Sequence, residues 1–174
     1  MKLRTLIKIS VISILVLSKT FDQALAAPTK ALVCIGSYSK ADKESIHLFQ
    51  LNLNDGSINK IGAIGGLINP SFLKIHQNGK FLYAVNEVGD FQGKKSGGVT
   101  AFSLDVKNGK IAKLNQQPSG DTHPCHLTID SKGKYVLVAH YGGGSTTVLP
   151  IMDLSLIHIS EPTRLRRISY AVFC

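Results

Sequence analysis

PSFLKIHQNGKFLYAVNE, Pro70 to Glu87, lies without a gap over PCHLTIDSKGKYVLVAHY, Pro124 to Tyr141. The two stretches share Pro, Leu, Ile, Gly, Lys and an aromatic residue at matching places, offset by 54 residues. LNLNDGSINKI, Leu51 to Ile61, returns as LDVKNGKIAKL, Leu104 to Leu114, offset by 53. Two independent matches at one period mark a chain built from repeated supersecondary units.

Within one period the pattern predicts four short strands. FLKIH is followed by the turn Gln77-Asn78-Gly79-Lys80, then FLYAVN, a longer loop, GVTAFSLD, the turn Lys107-Asn108-Gly109, and KIAKLNQ. Asn-Gly between alternating apolar runs is a strong hairpin signal, and helix-period segments are absent between the two chain ends. Four antiparallel strands recurring every fifty-odd residues predict an all-β chain of β-propeller blades. The rival is a two-layer sandwich, which gives no reason for turn chemistry to recur at fixed spacing. Closing a propeller takes roughly four to eight blades. The chain is therefore expected to be an N-terminal fragment of about two blades, truncated and inactive as given.

The two ends read differently from the middle. Met1 to Ala27 carries Lys2, Arg4 and Lys8, then the apolar ISVISILVLS, then ALAA, a small-x-small site. This order is that of an export signal over residues 1–26, placing the protein in the periplasm or outside the cell, with no membrane attachment after cleavage. At the other end, three arginines crowd into Arg164 to Arg167 after none since Arg4. Back-translated, LSLIHISEPTR and ISYAVFC resemble the two fixed segments of a transposon-based sequencing adapter, with a three-codon spacer between them. Residues 154–174 are expected to be an artefactual tail, leaving 27–153 as the partial propeller domain. The formal charge of +9 falls to about +4 over that middle part, and its cations are all lysines scattered through turns. Scattered lysines describe a solvated surface and give no nucleic-acid stripe. Cys34 and Cys125 lie in apolar strand contexts, which predicts separate thiols rather than a pair.

HPCHLTIDSKGKYVLVAHYGGGSTTVLPI, preceded by LYAVNE and SGGVTAFSLD, resembles the seven-bladed propeller lactonases of the 6-phosphogluconolactonase type, relatives of fungal carboxymuconate cyclase. The resemblance spans about Lys30 to Ile151 and implies a lactone hydrolase acting on a small sugar-derived lactone, monomeric when whole. Two alternatives stay open: a non-catalytic exported propeller that binds a carbohydrate or protein, and a lactonizing cyclase of the muconate type. The middle part has no arginine to clamp a 6-phosphate. An exported enzyme would also meet a different lactone from the cytoplasmic phosphorylated one.

Hairpin geometry gathers the candidate site residues. A turn at Ser131-Lys132-Gly133 puts His126 beside Ala139 or His140, and the preceding repeat brings Phe72 near Asn86, with Glu87 on the loop beyond. His126, Glu87, His140, Tyr141 and Asn86 are thus expected on one rim. Opening a lactone needs a group that handles the proton of water and donors for the oxyanion. The catalytic candidates are His126, as acid and base, and Glu87, as base or water-orienting group. His140, Tyr141 and Asn86 are the substrate-binding candidates. No cofactor or metal is expected: His123 and His126 flank Pro-Cys in a spacing too weak for a zinc site. Tyr141 to Ser145, YGGGS, joins two strands rather than opening a helix, against a phosphate loop. His47 and His76 are expected to be structural.

Overall fold

The computed structural model describes residues 28–152, together with the backbone of Thr163–Arg166. Its eleven strands are β1 (Lys30–Gly36), β2 (Glu44–Asn52), β3 (Ile58–Gly65), β4 (Leu73–Ile75), β5 (Phe81–Asn86), β6 (Gly98–Asp105), β7 (Lys110–Pro118), β8 (Pro124–Ile129), β9 (Tyr135–His140), β10 (Ser145–Pro150) and β11 (Thr163–Arg166). They form three antiparallel sheets in the orders β1-β2-β3, β4-β5-β6-β7 and β8-β9-β10-β11. No helix occurs among the described residues. The export signal and most of the expected tail lie outside them, and β11 falls within the stretch expected to be artefactual.

The middle sheet explains the nearly unbroken apolar run of FLYAVN. Side chains alternate across a strand, and here both faces are covered. Leu82, Ala84 and Phe102 face the first sheet and pack with Ile46 and Leu67. Tyr83, Val85, Val99 and Ala101 face the third and pack with Leu127, Ile129, Val136, Val138 and Leu149. Complete burial of one Val, Leu or Phe side chain contributes roughly 1.5–3 kcal/mol, so this double-sided packing is the main source of cohesion between sheets. β1 packs on β4 as β5 packs on β8, and β3 packs on β7. Each sheet thus follows the last face to face, as propeller blades do.

Observed strands match the predicted period closely: FLYAVN and GVTAFSLD are strands over the expected residues. FLKIH is shorter than expected because His76 already belongs to the turn, where its Nδ1 accepts from the Asn78 N–H at 3.1 Å. Phe72 lies opposite Val85 rather than Asn86, its carbonyl accepting the Val85 N–H at 3.1 Å. In the third sheet His126 pairs with Ala139, with a bulge separating that pair from Pro124 and His140. Cys34 and Cys125 are both free thiols, on different sheets. Burial pushes the Cys34 thiol up to about 11.

Candidate functional site

One rim is assembled by two residues that each precede a proline. Asn69 and His123 have positive φ, 47° and 54°, a conformation that side chains, and residues before proline in particular, disfavour. Their backbones make corresponding bonds in successive blades. The Asn69 N–H donates to the Ser39 carbonyl at 3.1 Å, and its own carbonyl accepts from Glu87 at 3.0 Å. The His123 N–H donates to the Val88 carbonyl at 2.9 Å, and its carbonyl accepts from Tyr141 at 3.2 Å. The Asn69 side chain adds a bond at each end, accepting from the Ser39 N–H at 3.1 Å and donating to the Glu87 carbonyl at 3.3 Å. Strain of this kind, roughly 1–3 kcal/mol per residue, persists where surroundings over-determine it, and it concentrates at functional sites.

Glu87 is the convergence point. The Ser71 hydroxyl, just before β4, donates to its carboxylate. Tyr38, in the loop after β1, is brought to the same rim by its neighbour Ser39, which Asn69 links to Glu87. The nearby Glu87 carboxylate, with slight burial adding to it, raises the Tyr38 phenol above the usual tyrosine range. Backbone links run along this rim through all three sheets: Asn69 joins Ser39, beside Tyr38, to Glu87, and His123 joins Val88, beside Glu87, to Tyr141. Tyr38 and Tyr141 are 69% and 62% exposed. Among the described residues no cation pairs with Glu87.

His126 stands one residue along the same seam. Its ring packs on Phe72 with centroids 4.2 Å apart, tilted by 50°, and Phe72 directly follows Ser71. His123 packs its ring on Tyr141 at 5.3 Å, so the two histidines flanking Pro-Cys have different neighbours.

The glycine turn after Tyr141 is filled from within. A Cβ on Gly143 would fall 1.9 Å from Asp121 Oδ2, and one on Gly142 would fall 2.6 Å from Thr122 Oγ1. Asp121 is buried, accepting from the Ser145 hydroxyl at 2.6 Å and the Thr122 N–H at 2.8 Å. A carboxylate already occupies the hollow, which is hostile to a phosphate.

Asn86 and His140, at repeat-equivalent places, lie beneath the rim at 1% and 3% exposure. Asn86 donates to the Ile68 carbonyl at 3.1 Å and accepts from the Thr100 hydroxyl at 2.7 Å, while the Gln116 amide reaches Thr100 at 2.9 Å. His140 Nδ1 lies 3.3 Å from the Ser145 carbonyl. Both hold the rim loops from below. At the opposite rim His76 Nε2 meets the Gly133 carbonyl at 3.1 Å, and the Gln77 amide donates to the Asp130 carbonyl at 2.6 Å, stapling successive blades. His76 is structural, because Nδ1 accepting from Asn78 leaves the proton on Nε2 for Gly133.

Reading the sequence missed Tyr38, Asn69 and Ser71. Asn69 and Ser71 flank Pro70 as His123 and Cys125 flank Pro124, a signal the repeat carried. Tyr38 had none, since its loop lies outside both repeated stretches.

Comparison with known proteins supplies the remaining information. A family model described as "Lactonase, 7-bladed beta-propeller" matches residues 32–162. A 6-phosphogluconolactonase of Formosa agariphila is 32% identical over 135 residues, covering 77% of this chain and 35% of that protein. A solved structure from Bacteroides fragilis, assigned provisionally as a 6-phosphogluconolactonase, superposes with a TM-score of 0.67 at 32% identity, covering 75% of this chain and 35% of the other. The periplasmic gluconolactonase of Pseudomonas aeruginosa superposes at 0.64 with 26% identity, covering 73% and 36%. The chain spans about a third of the length of the curated relatives it matches.

Proposed function

Since this chain belongs to the seven-bladed β-propeller lactonase family, we propose that the whole protein hydrolyses a sugar-derived lactone at the rim built around Glu87. The observation that carries this reading is the seam joining Glu87 to His126: Ser71 bonds the carboxylate, and the adjoining Phe72 backs the imidazole. A fixed carboxylate and an imidazole on neighbouring blades are the pair that lactone opening needs.

In this mechanism Glu87, oriented by Ser71, accepts a hydrogen bond from the attacking water. His126 takes the other proton of that water as its oxygen bonds to the lactone carbonyl carbon. The tetrahedral intermediate then collapses, the bond from carbon to ring oxygen breaks, and His126 returns the proton to the departing oxygen. One water is consumed, and the products are a carboxylic acid and a free hydroxyl. Imidazole suits both transfers because a ring nitrogen can accept a proton and later return it. Asn86 and His140 serve as supports of the rim. Action outside the cytoplasm is part of the proposal, supported by the charged, apolar and small-residue order of Met1 to Ala27; action as a monomer is proposed with it.

The test is acid release from glucono-δ-lactone by the whole protein, measured above the spontaneous rate in a pH-stat. His126→Ala and Glu87→Gln are each expected to lower kcat by at least about a hundredfold. Parent-like rates in both variants would overturn the proposal. Tight binding of the lactone without turnover would favour the non-catalytic binding protein instead.

A further inference from the structure

We infer that Thr100 and Gln116 are positioning residues for Glu87, acting through the side-chain amide of Asn86. The inference rests on Glu87 being the group that holds the attacking water, and it extends that reading to two residues below the rim, on other strands. Asn86 and Thr100 are both buried, so the polar atoms between them must find partners within the protein. The directions of their bonds are forced, each by the last. The Ile68 carbonyl can only accept, so the Asn86 amide turns Nδ2 toward it, at 3.1 Å. Its Oδ1 then faces Thr100, whose hydroxyl proton goes to it at 2.7 Å. Only lone pairs remain on that hydroxyl, and Gln116 Nε2 donates to them at 2.9 Å. A relay thus runs from Gln116 on β7, through Thr100 on β6 and Asn86 at the end of β5, to Ile68 ahead of β4.

Ile68 adjoins the residue that holds Glu87. The Asn69 carbonyl accepts both the Ser71 N–H, at 2.8 Å, and the Glu87 N–H, at 3.0 Å. The Ser71 hydroxyl in turn donates to the Glu87 carboxylate. Release of Ile68 therefore shifts together the backbone of Glu87 and the hydroxyl that orients its carboxylate. The third blade repeats the threonine without the rest of the relay. Thr147 lies opposite Val138 as Thr100 lies opposite Ala84. There His140 stands in the place of Asn86, and the buried Thr147 Oγ1 has no hydrogen-bond partner among the described residues. Of these two blades, only the one that carries Glu87 has the relay complete.

The experiment combines acid release from glucono-δ-lactone with amide hydrogen exchange, on the whole protein and its variants. Thr100→Val keeps the shape of the side chain and can neither donate to Asn86 nor accept from Gln116. Gln116→Glu also keeps its shape, but a carboxylate only accepts, which draws the Thr100 proton away from Asn86. Each is expected to lower kcat about tenfold with KM within about twofold, because positioning acts on the transition state rather than on binding. Thr100→Ser retains the hydroxyl and is expected to stay within about threefold of the parent. In Thr100→Val, exchange of the Glu87 N–H is expected to quicken about tenfold, while the Asp130 N–H, bonded to the Tyr135 carbonyl at the opposite rim, exchanges as before. Parent-like kcat in both variants, a change confined to KM, or unaltered exchange at Glu87 would overturn the inference. Equal quickening at Glu87 and Asp130 would mark general loosening and overturn it too. If Thr100→Val fails to fold, Gln116→Glu, at a half-buried site, decides by the same measurements. If exchange at Glu87 quickens but the parent protein opens no lactone, the hold of the relay on Glu87 stands and the hydrolase reading fails.

Discussion

Asn69 and His123 are the same residue position in successive blades, 54 places apart, and both bend the chain through positive φ immediately before a proline. Each hands one hydrogen bond back to the preceding blade, at Ser39 and Val88, and takes one from its own hairpin, at Glu87 and Tyr141. The rim is thus a chain of blade-to-blade links, and the groups it carries are set by backbone rather than by flexible side chains.

Asn69→Gly keeps the left-handed backbone and loses the two side-chain bonds to Ser39 and Glu87. About 1–2 kcal/mol of stability should go with them. Asn69→Ala should lose roughly 1 kcal/mol more, because a Cβ without a local hydrogen bond is costly at positive φ. Urea denaturation of the two variants checks the order. Both should lower kcat, since Asn69 no longer holds the loop that carries Glu87.

Gly143→Ala drives a methyl group into a buried carboxylate that Ser145 and Thr122 hold in place. The turn cannot relax cheaply, and a loss above about 1 kcal/mol is expected. Gly142→Ala should also cost stability, through the contact with Thr122. Thermal melts compare the two.

Phe72 backs His126 and adjoins the core between the second and third sheets. Replacing it with alanine should cost about 2 kcal/mol, below the usual range for a fully buried ring. With His126 no longer supported, kcat should fall more than KM rises. A change in KM alone would place Phe72 in substrate binding instead.

Two groups give a pH dependence of opposite sign. Burial of Asp130 works against its charge, but the N–H groups of Tyr135, Lys134 and Lys132 outweigh it and hold the carboxyl below its usual range. Its contribution is full above the ordinary aspartate value and is lost as pH falls through the depressed one, so Asp130→Asn should flatten the acid limb of stability. Cys34 is pushed up to about 11 by burial. Stability linked to it is full below the ordinary thiol value and declines as pH rises toward 11. In folded protein at pH 8 its thiolate fraction is on the order of one in a thousand. Iodoacetamide should therefore label Cys34 far more slowly than it does after unfolding, as mass spectrometry would show.

The period of 54 made the fold legible, because a hairpin writes its turn chemistry and its alternation into a short stretch: Phe81–Asn86 and Gly98–Asp105 are strands as read. The candidate site was legible only where hairpin register governs it. His126 opposite Ala139 follows from counting across one turn. Whether Asn86 points outward or down does not, because Thr100 and Gln116 come from other strands and claim its amide. Tyr38 was hidden for a stronger reason: its loop is linked to Glu87, through Ser39 and Asn69, only when the first and second sheets pack, and nothing near either residue encodes that meeting.

The most direct test is a crystal structure of the whole protein with glucono-δ-lactam bound. The ring should lie on the rim at the Glu87–His126 seam, with Glu87 and the His126 imidazole both within hydrogen-bond reach of the lactam carbonyl or of a water beside it. A ring bound elsewhere, or one that touches Glu87 with His126 turned to another side of the molecule, would contradict the shared site.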